Sequence, residues 1–319
     1  MPKPIYVEIE INAPLDELWR FTQTPELHET WDLRFTSIEE IDSGDEGDAR
    51  RFDYATRIGF GLSVRGQGEY LAVKHRPNGE RSSSLRFWSE SPLAIIREGS
   101  GYWRYHPLDA KLAHSPVQTQ PIRFATGYSY QPRWGVLGRV IDGCIFRPLM
   151  GWATAWSFDA LRIKLERGTD PRTSLALALA YTVARIALAF TFAWHGVVPK
   201  LVARDGDEIA MLQASGVDPA DISSALLVVG IAEVVAALIV LALWRKRWPL
   251  IVSIIGMLFA LTHVAFASPE YLSKAFNPVS LNLIVVALAL IALVLHKHIP
   301  SASKCRRTPR ATQPKEGAA

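Results

Sequence analysis

Ser174–Trp194 reads SLALALAYTVARIALAFTFAW, and Ile222–Trp244 reads ISSALLVVGIAEVVAALIVLALW. A helix crossing a bilayer needs about 20 predominantly apolar residues, because each residue rises about 1.5 Å across a core about 30 Å thick. Both stretches meet that length. Trp248–Ala267 and Val279–His296 follow in the same style. Four such runs in succession predict an all-α bundle of four transmembrane helices. The connections alternate in charge. Arg162, Lys164, Arg167 and Arg172 precede the first run, Arg245-Lys246-Arg247 separate the second and third, and Lys297 follows the fourth. The Lys200–Asp221 connection instead carries Asp205, Asp207, Glu208, Asp218 and Asp221, and Ser268–Asn277 has one lysine. Basic loops stay on the cytoplasmic side. The expectation is a multi-pass protein of the cytoplasmic (inner) membrane with both termini cytoplasmic and the bilayer as its obligate partner.

Ionisable groups inside spans are costly and mark candidate sites. Arg185 lies near the middle of the first run and Glu233 near the middle of the second, so a buried Arg185–Glu233 pair is expected. A second polar layer is expected nearer the outer surface, where His195, His263 and Asn282 converge with Lys200 around a pocket opening outward. A static pair that fixes helix packing remains open for Arg185 and Glu233, and interfacial polar residues satisfied by loop backbone remain open for His195, His263 and Asn282. Two histidines do not make a metal site, and no metal is expected.

The residues Tyr181, Arg185, Trp194-His195-Gly196, Pro199-Lys200, Glu233 and Asn277-Pro278 with Asn282 resemble the DoxX-like family of small four-helix membrane proteins. The resemblance spans about 125 residues and all four runs. It implies the bundle topology. The family takes its name from a subunit of a thiosulfate:quinone oxidoreductase, and other members are linked to redox homeostasis. The resemblance thus admits a quinone as cofactor, although no cofactor motif is evident in the residues.

The first half is different. Ile5–Ile11 alternates as a strand does, Asn12-Ala13-Pro14 introduces a helix bearing Leu15, Leu18, Trp19 and Thr22, and Pro25 opens a short helix ending near Trp31. Period-two patterns follow at Arg51–Ile58, Val64–Lys74, Ser84–Glu90, Gly99–His106 and Pro121–Tyr130. Gly66 and Gly68 are expected to bend the sheet. An amphipathic helix is expected over Leu137–Glu166, interrupted at Pro148. Ile11-Asn12-Ala13-Pro14 with Trp19, Pro25-Glu26-Leu27 with Trp31-Asp32, and the helix Trp152–Leu165 resemble the START-like helix-grip superfamily. That superfamily includes polyketide cyclases and lipid-transfer domains. It implies an α+β fold, an antiparallel curved sheet gripping a long C-terminal helix, with an apolar small-molecule ligand held between them. Trp31, Phe52, Tyr54, Tyr70, Trp88, Trp103, Phe124 and Tyr128 are the candidate lining. A packed aromatic core is the alternative.

The expected division is a helix-grip domain over 1–168, a membrane domain over 169–298 and a disordered basic tail over 299–319. The net charge of +4 argues against a nucleic-acid partner, and Cys144 and Cys305 form no disulfide or metal spacing. No cleavable signal peptide is read at the N-terminus. Walker A, G-x-S-x-G, H-E-x-x-H and C-x-x-C are lacking. His28, His75, His106 and His114 are dispersed, and strand alternation does not bring His106 to Asp53. Three functions remain open: a lipid or apolar-molecule binder at the cytoplasmic membrane face, a quinone-linked or redox component using the bundle's polar groups, and a membrane-anchored cyclase or dehydratase. A homo-oligomer or a membrane partner is compatible with each.

Overall fold

The computed structural model describes residues 3–41, 50–59, 61–109, 112, 115–275 and 277–310. The chain forms two compact units. One runs to Ser174 and resumes at Pro300; the other is Leu175–Ile299.

The first unit is the α+β helix-grip architecture. Its elements are β1 (Ile5–Pro14), α1 (Leu15–Gln23), α2 (Pro25–Trp31), β2 (Ser37–Ile41), β3 (Arg51–Gly59), β4 (Leu62–His75), β5 (Arg81–Trp88), β6 (Ile96–Pro107) and β7 (Thr119–Pro132). They build one antiparallel sheet in the order β1-β7-β6-β5-β4-β3-β2. The short, acidic strand β2 escapes the period-two pattern. Then come α3 (Gly135–Ile141), a π-helical turn (Asp142–Phe146) and α4 (Arg147–Arg167). The expected interruption falls at that turn, just ahead of Pro148 in the first turn of α4, whose missing N–H takes one bond from the preceding helical ladder. Asp142 is buried by the turn and accepts from Tyr130 Oη at 2.6 Å and from Arg147 Nε at 3.0 Å.

Gly66 and Gly68 do more than permit a bend. They pair with Tyr54 and Phe52 across β3–β4. A Cβ on Gly66 would collide with the Tyr54 ring, and one on Gly68 would collide with the Phe52 ring. The far end of each aromatic ring occupies the space that a side chain opposite it would need.

The core between sheet and α4 is a stack of rings. Trp103 on β6 and Phe124 on β7 are 5.3 Å apart, and Phe124 and Phe158 of α4 are 4.5 Å apart. Trp31 closes the stack edge-on against Trp103 and Phe158, and its indole donates to the Phe21 carbonyl.

The expected disordered tail is corrected over its described part. Arg306 makes an antiparallel bridge with Glu8 on the edge strand β1. Ser301 N donates to the fully buried Asp159, Cys305 Sγ donates to the Ala155 carbonyl, and Arg310 pairs with Glu8 and Glu10. Lys304 pairs with Asp159 at 3.5 Å. These cations meet protein carboxylates that composition alone does not reveal. Lys315 lies outside the described residues, as does His114.

The second unit holds α5 (Pro171–His195), which begins in the first unit, a π-helical segment (Gly196–Val202), α6 (Gly206–Ala214), α7 (Ile222–Ala242), α8 (Trp248–Ala267), a 3-10 turn (Pro269–Ser273) and α9 (Pro278–Leu295). Four of its helices are long and apolar enough to cross a membrane, the first of them continuing to Val202. Small and branched residues fill the bundle core, with Ala184, Leu188, Ala189, Ala237, Val285, Ala289 and Ala292 buried together. Leu179, Val183, Phe190, Phe259 and Phe266 point outward and are largely exposed, as lipid-facing residues are.

Removing the Phe124 ring empties the centre of the aromatic stack. Phe124→Ala is expected to cost about 3–5 kcal/mol. Near-UV circular dichroism of the full chain should show the aromatic signal melting about 10 °C earlier, at roughly 2–4 °C per kcal/mol.

Candidate functional site

The expected Arg185–Glu233 pair does not form. Arg185 is fully buried and its guanidinium donates to the carbonyls of Val240 (2.9 Å), Leu243 (2.8 Å) and Lys246 (3.3 Å), and to Tyr181 Oη (2.6 Å). These carbonyls belong to the C-terminal end of α7 and the turn after it, where helix carbonyls lack partners and the dipole favours a cation. Tyr181 in turn donates to the Trp244 carbonyl at 2.7 Å. Arg185 therefore clamps the end of the bundle that carries Arg245-Lys246-Arg247.

The register explains the difference. The first span does not stop at Trp194. Pro199 has no N–H to give the helical ladder, and the helix passes it in wide π-helical turns to Val202. Gly196 meets Gly230 there: a Cβ on Gly196 would lie 2.6 Å from the Gly230 carbonyl oxygen. Glu233, less than one turn past Gly230, thus faces Lys200. Arg185 comes 11 residues before Gly196, about 16 Å away along the helix axis at about 1.5 Å per residue.

Lys200 is the centre of the site. Its ammonium lies 2.9 Å from Glu208 Oε1 on α6 and 3.2 Å from Glu233 Oε2 on α7, and it donates to the His195 carbonyl at 3.4 Å. Glu233 Oε2 is buried and, despite the ion pair, has no donor in hydrogen-bonding geometry. These groups line a cavity of about 740 Å³. His195, His263 and Asn282 are also on its wall, together with Lys200. Phe192, Val229, Met257, Leu281, Ile284 and Val285 supply an apolar side. His263 Nε2 lies 2.8 Å from Ser215 Oγ, and Asn277 caps α9 by accepting from Ser280 N. A latch ties α6 to the segment before α9: Asp207 at the start of α6 binds Lys274 Nζ at 2.7 Å and Tyr271 Oη at 3.3 Å. This pairing lowers the Asp207 carboxyl below its usual value. Glu208, Ser215 and the latch could not be found from periodicity, because they come from a loop that folds back over the cavity. Among the described residues, no three histidine, cysteine or acidic side chains are grouped closely enough to hold a metal.

The aromatic set expected to line a ligand cavity in the first unit divides. Trp31, Trp103 and Phe124 fill the core. Tyr128 Oη pairs with Thr154 Oγ1 of α4 at 2.9 Å. Phe52, Tyr54 and Tyr70 form a second cluster over β3 and β4. Tyr54 and Trp88 border a hollow of about 680 Å³ whose other walls include Glu39, Asp53, Arg65 and Gln67. Beneath the core stack lies a charged group missed in the sequence. Arg34 Nε and Nη2 grip both oxygens of the buried Asp32, at 2.9 Å and 2.6 Å. His28 Nε2 reaches the same carboxylate at 3.0 Å, and the guanidinium lies over the Tyr128 ring at 5.4 Å. The signal was Trp31-Asp32-Leu33-Arg34-Phe35, two opposite charges set among rings. His106 and Asp53 stand on β6 and β3, with β5 and β4 between them.

The DoxX-like family model matches residues 189–290. A Bacillus subtilis (strain 168) protein described as uncharacterized membrane protein YndG is 46% identical over 194 residues, covering 60% of this chain and 67% of that protein. Among solved structures, a Thermus thermophilus protein is 16% identical over 46% of this chain and 86% of its own, with a TM-score of 0.31. The Zhui aromatase/cyclase from a Streptomyces species is 12% identical over 47% of this chain and 87% of its own, at 0.32. Norcoclaurine synthase from Thalictrum, as a point mutant, is 18% identical over 51% and 98%, at 0.31. Scores of this size carry no argument about activity.

In a double-mutant cycle read by thermal unfolding in detergent, Lys200→Met and Glu233→Gln should couple by at least about 1 kcal/mol. Arg185→Leu and Glu233→Gln should be additive within about 0.5 kcal/mol. A second prediction concerns acid. Burial alone would raise the Asp32 carboxyl, but the Arg34 guanidinium overrides it and holds the group well below the usual carboxylate range. That stabilisation is complete above the ordinary aspartate value of about 3.9 and is lost as pH falls below it towards the depressed folded value. Asp32→Asn should be less stable than wild type near neutral pH and should lack this acid-dependent loss in a fluorescence titration.

Proposed function

The chain is a DoxX-like membrane protein of the same family as its Bacillus subtilis relative, and from that premise we propose that its four-helix unit binds a neutral amphipathic molecule of the quinone type. The observation that carries the proposal is the Lys200 ammonium, held between Glu208 and Glu233 on the wall of a cavity with a large apolar side. A lysine so fixed donates to a carbonyl oxygen without the cost of ordering its long side chain first. Glu233 Oε2 has room for one donor, such as a reduced headgroup hydroxyl. The lining carries Asp205, Asp207, Glu208 and Glu233 against Lys200, which disfavours an anion such as thiosulfate. The apolar side suits a prenyl or acyl chain.

The placement we favour is the cytoplasmic membrane with the first unit inside. The Arg245-Lys246-Arg247 turn lies at the bundle end from which α5 starts, and the cavity lies at the other end, in accord with the positive-inside rule. The tail that docks on β1 supports an even number of spans between it and the first unit.

A lipid ligand in the helix-grip unit receives less support, because the ring stack occupies the space between sheet and α4. A cyclase-like or dehydratase-like role there gains no proton donor from Asp32, which Arg34 keeps ionised.

The test uses the full chain in nanodiscs and a short-chain ubiquinone analogue, with retention read by native mass spectrometry. Wild type should retain it, and Lys200→Met should weaken retention roughly 10- to 100-fold, the loss of one charged hydrogen bond. Equal retention by a Lys200→Met protein that melts as wild type does, or preferential retention of thiosulfate, would overturn the reading.

A further inference from the structure

α3, the π-helical turn and the first turns of α4 present an apolar stripe to solvent. Leu137, Val140, Ile145, Leu149 and Trp152 are between 44% and 65% exposed, and Val136 and Trp134 extend the stripe at its start. Exposed apolar patches of this extent mark interaction surfaces in folded proteins. The stripe is rigidly mounted. Gly138 packs so tightly that a Cβ there would collide with the Arg133 carbonyl oxygen. On the opposite side, Asp142 is tied to Tyr130 and Arg147. The wide turn at Asp142–Phe146 rotates the helix so that its one carboxylate faces inward while Val140, Ile145 and Leu149 face outward.

We propose that this stripe is an interfacial helix that lies in the headgroup region of an anionic bilayer leaflet. Three observations select lipid as the occupant. The connector between α4 and α5 is only Gly168, Thr169 and Asp170, so a bilayer is always within reach of this unit. The stripe has the composition of an in-plane anchor: branched aliphatic residues in the middle, tryptophans at both ends, the exposed Arg139 beside them, and its one carboxylate, Asp142, turned inward onto Arg147. The leaflet on the α5-start side of the bundle also faces Arg245-Lys246-Arg247, the basic turn that marks the side rich in anionic lipid. The four spans already fix the protein in the membrane. The stripe therefore restrains the first unit at the lipid surface and does not serve as the anchor.

Cys144 lies on this face and is exposed, whereas Cys305 is buried, so a thiol-reactive bimane reports on the stripe directly. The full chain is labelled at Cys144 in nanodiscs containing phosphatidylglycerol and a lipid with a spin label near its headgroup. A Val117→Cys, Cys144→Ala protein serves as control, since Val117 is exposed on the same unit outside the stripe. The expected result is quenching at Cys144 at least threefold stronger than at position 117, reduced by Leu137→Asp with Leu149→Asp. Equal lipid quenching at both positions overturns the proposal. Protection of Cys144 from aqueous iodide without lipid quenching also overturns it and points to a protein on the stripe.

Discussion

The bundle depends on the contact between Gly196 and Gly230. No side chain larger than hydrogen fits at either position, because the facing carbonyl and the Leu201 side chain stand within 3 Å of any added carbon. In lipid, where no hydrophobic force draws helices together, such close backbone approach is a main source of association. It also sets the antiparallel register of the first two spans. From that register follow Lys200 opposite Glu233, Arg185 at the carbonyl end of α7, and a cavity at one end with a clamp at the other. The two charged centres thus have different tasks. Arg185 satisfies helix-end carbonyls, while Lys200 borders free volume.

The first unit solves a separate problem. Its sheet leaves β1 as an edge, and the segment after the fourth span covers that edge and bonds to Asp159 of α4. The chain is therefore not a head, an anchor and a loose end. The spans are inserted into a folding unit whose last piece returns from the membrane. Its core is closed by stacked rings and by a buried Asp32–Arg34 pair, which stabilises only because both partners are present.

Much of this was legible in the sequence, for physical reasons. The bilayer forces long apolar runs and sorts basic loops, so the spans and their order were readable. His195, His263 and Asn282, which share the cavity wall, stood out in the sequence because few groups of that kind survive inside or at the ends of spans. The register was not, since hydropathy stays high past His195 and says nothing about turns widened by Pro199. Arg185 and Glu233 match in depth only if the first span ends at Trp194. In the first unit, alternation located six strands, but Ser37–Ile41 is too short and acidic to show. Trp31, Trp103 and Phe124 carry the same identities whether they line a cavity or fill one, and only Phe158 reaching across from α4 decides between them. The tail looked disordered because its partners, Glu8, Glu10 and Asp159, are distant in sequence.

The Lys200–Glu233 cavity, proposed as the working part of the membrane unit, stands on the register of the first two spans. Disulfide trapping measures that register in the bilayer itself. In a background lacking Cys144 and Cys305, the pair Lys200→Cys with Glu233→Cys should cross-link readily in membranes under mild oxidant. The pair Arg185→Cys with Glu233→Cys should not. The reverse outcome, a bond from position 185 and none from position 200, would contradict this register and the site built on it.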